Sequence, residues 1–155
     1  MELVIFMGLQ AAGKSTFFRT YFAETHVLVS KDLLSNNKHR SRRQYQLIEA
    51  ALQAGSSVVV DNTNPTLEDR AELIQLGRTY AAEIVGYYFL SEVSQSLARN
   101  KQRTGKEKVP DIAIFATIKR FVRPTYKEGF DTLFCVAAND DGTFNVSCVL
   151  RTRDE

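Results

Sequence analysis

The sequence predicts an α/β fold, a mainly parallel sheet with helices on both faces. Three observations carry this reading. Short apolar runs alternate with segments of helical periodicity along the 155 residues, the pattern of repeated β-α units. The first run, Leu3-Val4-Ile5-Phe6-Met7, is apolar throughout, as a strand buried on both faces must be. Directly after it, Gly8-Leu9-Gln10-Ala11-Ala12-Gly13-Lys14-Ser15 fits the Walker A pattern G-x-x-x-x-G-K-[ST], which requires a strand before it and a helix after it. Chance supplies that pattern at roughly 10⁻⁵ per position, which weighs against an ordinary glycine turn ahead of a helix.

The elements follow in order. After the strand at 3–7, Ser15-Thr16-Phe17-Phe18 opens a helix running to about Phe22, its positive end toward the glycine loop. A very short second strand covers His26–Val29. The polar, basic stretch Ser35–Arg43 leads as a loop into a helix over Gln44–Ala54, where Tyr45, Ile48, Ala51 and Leu52 recur with helical spacing and Gly55 ends the run. Ser57–Asp61 is the third strand and Asn62-Thr63-Asn64-Pro65 a turn. Thr66 and Asp69 resemble a capping box opening a helix over Leu67–Tyr80. The fourth strand is Glu83–Leu90. A helix from Glu92 to about Arg103, a polar loop Thr104–Val109 stopped by Pro110, and a helix over Asp111–Val122 come next. Thr132–Val136 and Thr143–Leu150, joined through the turn Asn139-Asp140-Asp141-Gly142, read as a hairpin at the sheet edge. No repeat or linker interrupts the pattern, so residues 1–155 are expected to form one domain.

Composition narrows the partners only a little. Twenty Lys and Arg against 18 Asp and Glu give a formal charge of +2, which permits an anionic partner without demanding one. Cys135 and Cys148 form no C-x-x-C pair and are expected to be reduced core residues. The apolar N-terminus leads straight into the glycine loop instead of a cleavage site, and no apolar run is long enough to span a bilayer. A cytoplasmic protein with no membrane partner is expected.

Ligands in open α/β sheets bind beyond the carboxyl ends of the strands. There the loop residues Gly8, Ala11, Ala12, Gly13 and Thr16 offer backbone N–H groups to phosphate oxygens. Lys14 can reach the β- and γ-phosphates, and the Ser15 hydroxyl can ligate Mg²⁺ directly. Asp32, just past the second strand, is either a carboxylate that orients an acceptor hydroxyl and takes its proton, or the N-cap of a short helix beginning Leu33-Leu34. Asp61 ends the third strand, where a Walker B carboxylate would hold Mg²⁺ through water, or where an Asp-Asn turn would simply begin. Arg99 and Arg103 stand at i and i+4 before a loop holding Lys106 and Lys108. They read either as lid arginines gripping polyphosphate, worth roughly 10³–10⁵ in rate, or as cations at a helix C-terminus. Lys38-His39-Arg40-Ser41-Arg42-Arg43 is either a phosphate-binding strip or a solvated loop. His26 and His39 lack metal-ligand spacing.

Taken together these blocks resemble the P-loop kinase domain of polynucleotide 5′-hydroxyl kinases, the end-healing enzymes of nucleic-acid repair. The resemblance rests on Gly-Leu-Gln-Ala-Ala-Gly-Lys-Ser-Thr at 8–16, Val-Ser-Lys-Asp at 29–32 and Val-Asp-Asn-Thr-Asn-Pro at 60–65. It continues through Ala-Arg-Asn-Lys-Gln-Arg at 98–103, Val-Pro at 109–110 and Arg-Pro-Thr-Tyr-Lys-Glu-Gly-Phe-Asp at 123–131. It implies an adenylate-kinase-like P-loop NTPase fold, a three-layer sandwich with a helical lid. Asp32 would be the general base for a 5′-hydroxyl and a second carboxylate facing Mg²⁺ through water. Lys14, Arg99 and Arg103 would be the catalytic cations on an ATP or GTP donor. Some members carry an arginine three residues after the base; here that position is Ser35, so the acceptor site is assigned to Ser35, Lys38, Arg40, Arg42 and Arg43. The family often joins the kinase to a phosphatase or ligase, fused or separate. The expected function is transfer of the NTP γ-phosphate to a 5′-OH of RNA or DNA. The alternatives are a small-molecule kinase and a nucleotide-dependent switch.

Overall fold

A computed structural model describes residues 1–91, 93–105 and 108–153, without the side chains of 93–95. Lys106, and Glu92 as a helix start, lie outside the described residues. Six strands form one sheet: β1 (Glu2–Met7), β2 (Val27–Val29), β3 (Val58–Asp61), β4 (Glu83–Leu90), β5 (Thr132–Ala138) and β6 (Phe144–Cys148). Their order is β2-β3-β1-β4-β5-β6. The first five run parallel and β6 returns antiparallel on β5. The helices are α1 (Lys14–Tyr21), α2 (Arg40–Gln53), α3 (Leu67–Thr79), α4 (Val93–Lys101) and α5 (Asp111–Arg120). Short 3-10 turns lie at Lys31–Leu34 and Tyr126–Glu128.

β1 divides the core in two because its side chains alternate between faces. Leu3, Ile5 and Met7 point to an aliphatic layer built with Ile48 and Leu52 of α2 and with Leu73, Ile74 and Leu76 of α3. Val4 and Phe6 point the other way, into a layer dominated by rings beneath α1. There Phe6 meets Phe17, Phe22, Tyr87 and Phe89 edge-on, with centroids 5.0–5.9 Å apart, the arrangement the ring quadrupoles favour. β3 and β4 flank β1 on opposite sides, so the chain changes direction across the sheet at the end of β1. That switch point is where an open α/β sheet leaves a crevice.

Two expectations change. α2 begins at Arg40, four residues before the predicted Gln44, so the second half of the basic run is helix and not loop. Its buried stripe is Gln44, Ile48 and Leu52, and a buried glutamine does not register in an apolar periodicity. Cys148 is an exposed residue of the edge strand β6 and not part of the core, while Cys135 is half-buried; both are free thiols. Among the described residues, no helix is long and apolar enough to cross a membrane.

Arg70 of α3 has no exposed surface. Its Nε donates to Glu128 Oε1 at 2.7 Å and its Nη2 to Oε2 at 3.2 Å. Its Nη1 donates to the carbonyls of Val122, at 2.8 Å, and Asn64, at 3.3 Å. Glu128 closes a capping box with Thr125 as well. The pair ties the end of α5 and the turn after β3 to α3 and the second 3-10 turn. Removing one partner strands a buried charge, so Glu128→Ala is expected to cost about 3–5 kcal/mol. Urea unfolding should read this as a lower midpoint at unchanged slope. The double variant Arg70→Met, Glu128→Leu should recover part of the loss.

Candidate active site

The glycine loop begins where β1 stops. A Cβ at Gly8 would lie 2.9 Å from Cβ of Phe89 and 3.0 Å from its carbonyl oxygen, so only glycine lets the loop leave the sheet against β4. Gly13 caps α1 at φ 97° without a side-chain cap bond, and Ala11 sits at φ 62°. A left-handed alanine costs of order 1–2 kcal/mol, strain of a kind that clusters at ligand-binding loops. The loop is pinned from outside: Gly8 N–H donates to the carbonyl of Thr63 at 3.1 Å, and Asn64 Nδ2 donates to the carbonyl of Phe6 at 2.8 Å.

Lys14 folds back over this loop and donates to the carbonyls of Gly8, at 3.0 Å, and Leu9, at 2.6 Å. Burial brings its ammonium down to about 8 from 10.5. Asp61 and Asp32 pull it back up, and Arg103 pushes it further down. Ser15 Oγ donates to Asp61 Oδ2 at 2.9 Å. Asp61 is buried, and that burial raises its carboxyl above the usual range against the pull of Lys14 and Ser15. A hydroxyl and one carboxylate are the hard-oxygen donors that Mg²⁺ takes when phosphates and waters complete an octahedron. Those two residues therefore fit a metal carried in with a triphosphate.

Two hollows meet at the loop. The larger is a cleft of about 1190 Å³ lined by Lys14, Ser15, Asp32, Asp61, Lys38, Arg40, Arg42 and Arg103, with Arg120 of α5. The smaller, about 240 Å³, lies between Gly13, Thr16, Arg99, Arg103 and the β5–β6 turn at Asn139, Gly142 and Thr143. Arg103 borders both. The structure thus brings Lys14, Ser15, Asp32, Asp61 and Arg103 to one cavity, and sets Arg99 on the neighbouring one. It does not bring Ser35 or Arg43 to the cleft: Ser35 ends the first 3-10 turn, and Arg43 reaches Gln46 at 3.5 Å. The capping reading of Asp32 fails, because Ser30 is the cap and accepts from the Asp32 N–H at 3.2 Å. The Asp32 carboxylate is exposed toward the cleft.

His39, within the basic run, lines the cleft with Lys38, Arg40 and Arg42, and so does Arg120 of α5, which no motif or spacing marks. Asn100 of α4 is fully buried and its amide brackets Val109, donating to its carbonyl and accepting from its N–H at 2.9 Å. That amide fastens the far end of the lid loop to the helix that carries Arg99.

A family model described as AAA domain matches residues 3–124. The chain is 33% identical over 135 residues to the bifunctional polynucleotide phosphatase/kinase of Schizosaccharomyces pombe, covering 83% of this chain and 32% of that protein. It is 27% identical over 144 residues to the L-seryl-tRNA(Sec) kinase of Methanococcus maripaludis, covering 83% of this chain and 56% of that one. The chain therefore spans about a third and about half of these relatives. The structure superposes on Chaetomium thermophilum Kti12 in complex with ADP-AlF3 with a TM-score of 0.75 over 90% of both chains at 18% identity, a likeness of fold.

Triphosphate drawn against Lys14 favours its ammonium form. Nucleotide binding is expected to take up a proton at about pH 9 and none at about pH 6.5, read by calorimetry in buffers of different ionisation enthalpy. Equal uptake at both would remove Lys14 from the phosphates. Without nucleotide, the folded protein binds fewer protons at Lys14 than the unfolded chain between pH about 8 and 10.5. This group alone therefore adds stability as pH rises through that window.

Proposed function

Because the chain belongs to the AAA-domain family over residues 3–124 and has the fold of the P-loop kinases, we propose that it is an NTP-dependent polynucleotide 5′-hydroxyl kinase. The observation that carries this reading is the shape and charge of the cleft. Asp32 and the phosphate loop share one cavity of about 1190 Å³ whose rim carries Lys38, Arg40, Arg42 and Arg120. Cations on such a rim suit a strand of phosphates. The similarity to a bifunctional polynucleotide phosphatase/kinase supports the same substrate class, and a phosphatase as a fused or separate partner; a ligase partner is proposed on the family resemblance alone.

In this reading the donor triphosphate, ATP or GTP, lies along the loop N–H groups with its γ-phosphate between Lys14 and Arg103. Ser15, and through water Asp61 and Asp32, would hold Mg²⁺, which would supply charge neutralisation on the phosphates. The acceptor 5′-oxygen attacks the γ-phosphorus as the bond to the β–γ bridging oxygen breaks. The hydroxyl proton passes to the Asp32 carboxylate, and NDP leaves. In a loose transition state the proton moves late, so the orientation of the hydroxyl by Asp32 matters more than its basicity. Lys14, Arg99 and Arg103 gather charge on the donor oxygens. The 27% identity to a seryl-tRNA kinase favours a second reading, in which the acceptor hydroxyl is carried by RNA elsewhere than at a 5′ end.

Incubation with γ-labelled ATP or GTP and 5′-OH DNA or RNA tests the proposal; no label on any oligonucleotide sinks it. Asp32→Ala is expected to lower transfer by roughly 10²–10⁴-fold with NTP affinity retained. Loss of NTP binding in parallel would remove the base assignment. Neutralising Lys38, Arg40 and Arg42 together should weaken oligonucleotide binding and flatten its salt dependence, by about 0.7 in log–log slope for each phosphate no longer neutralised. A small-molecule kinase would not respond.

A further inference from the structure

One side-chain amide holds the acceptor side of the cleft together. Asn62 follows Asp61 at the end of β3. Its Oδ1 accepts from the backbone N–H of Lys31 at 2.9 Å, and its Nδ2 donates to Oε1 of Gln44 at 2.6 Å. Lys31 opens the 3-10 turn that presents Asp32. Gln44 stands four residues after Arg40 on α2, so the two share a helix face, and it is buried at 7% exposure. Asn62 thus spends its acceptor on the element carrying the proposed base and its donor on the element carrying the cationic wall.

Two features make this amide more than a turn residue. The first turn of α2 carries Arg40, Arg42 and Arg43, no acidic residue and no side-chain cap. Cations at a helix N-terminus oppose its dipole, and this start has no side-chain cap; Asn62, through Gln44, ties it to the sheet. A planar amide also offers a donor and an acceptor together, which neither a carboxylate nor an aliphatic side chain can. The donor half of the cleft has separate ties: Ser15 to Asp61, and Gly8 to Thr63.

We infer that Asn62 is a positioning residue for the acceptor half of the site, with two separable arms. The Oδ1 arm sets the Asp32 turn and so the rate of transfer. The Nδ2 arm, acting through Gln44, sets the basic turn of α2 and so the capture of the acceptor. This assignment rests on the polynucleotide-kinase reading of the cleft.

Steady-state transfer from labelled ATP to a 5′-OH oligonucleotide, varying each substrate with the other saturating, tests both arms. Gln44→Leu removes only the α2 arm. It should raise the acceptor KM on the order of tenfold while kcat and the ATP KM stay within about twofold. Gln44→Glu keeps an acceptor for Asn62 Nδ2 and should bring the acceptor KM back toward wild type. Asn62→Ala removes both arms and should also lower kcat on the order of 10²-fold at unchanged ATP KM. A merely structural loss would instead lower kcat alone or move both KM values together, and either pattern overturns the assignment. If Asn62→Ala does not fold, the Gln44 pair decides. Gln44→Leu with a wild-type acceptor KM overturns this assignment alone. Wild-type protein that labels no oligonucleotide overturns the kinase reading and this assignment with it.

Discussion

Residues 61–65, at the end of β3, form a turn in which every position is hydrogen-bonded to another element around the cleft. Asp61 accepts from Ser15 of the phosphate loop. Asn62 joins the Asp32 turn to α2. The Thr63 carbonyl receives the N–H of Gly8, and the Asn64 amide reaches the end of β1. The carbonyls of Asn64 and Pro65 accept from Arg70 and from the N–H of Val122 at the end of α5. Buried polar groups must find partners or cost stability, and here the partners are the donor loop, the acceptor side and the lid. The turn sits against the central strand, so these three parts are registered to the most buried element of the sheet and to one another.

This arrangement gives the cleft a rigid floor and less constrained walls. The floor is the phosphate loop, fixed by the close approach of Gly8 to Phe89 and by the ring cluster under α1. One wall is the start of α2, whose charges oppose its own dipole. The other is the α4–α5 pair, held to the body through Val122 and within itself through Asn100. Arg103 borders both hollows, so a movement of the lid would be felt at the donor and at the acceptor together.

The sheet, the phosphate loop and the order of elements were legible because they depend on local patterns: apolar runs, glycines and helical spacing. The start of α2 was not, since three arginines, a serine and a buried glutamine carry no apolar signal and the helix is tied to a distant strand. The Asp32 capping alternative was undone by Ser30, two residues away, which a search for the cap at Asp32 itself does not weigh. Asn62, Asn100 and Arg70 were out of reach for a common reason. Their partners lie across the chain or in loops, and hydrogen bonds leave no periodicity in a sequence. Cys148 was misplaced because an edge strand exposes residues that the same composition would bury in a central one.

The position of β1 has a consequence for how the protein comes to its final shape. This first strand pairs Leu3 with Val58 on one side and with Ile84 on the other, so its neighbours are made long after it. Parallel pairings of such sequence separation are intrinsically slow, because the loop-closure entropy is lost before any contact is gained. Gly8 finds its packing partner only in Phe89. The glycine loop is therefore made before β4 and meets Phe89 only when that strand arrives. Until then β1, apolar from Leu3 to Met7, presents an unpaired edge, a segment a chaperone would have reason to cover.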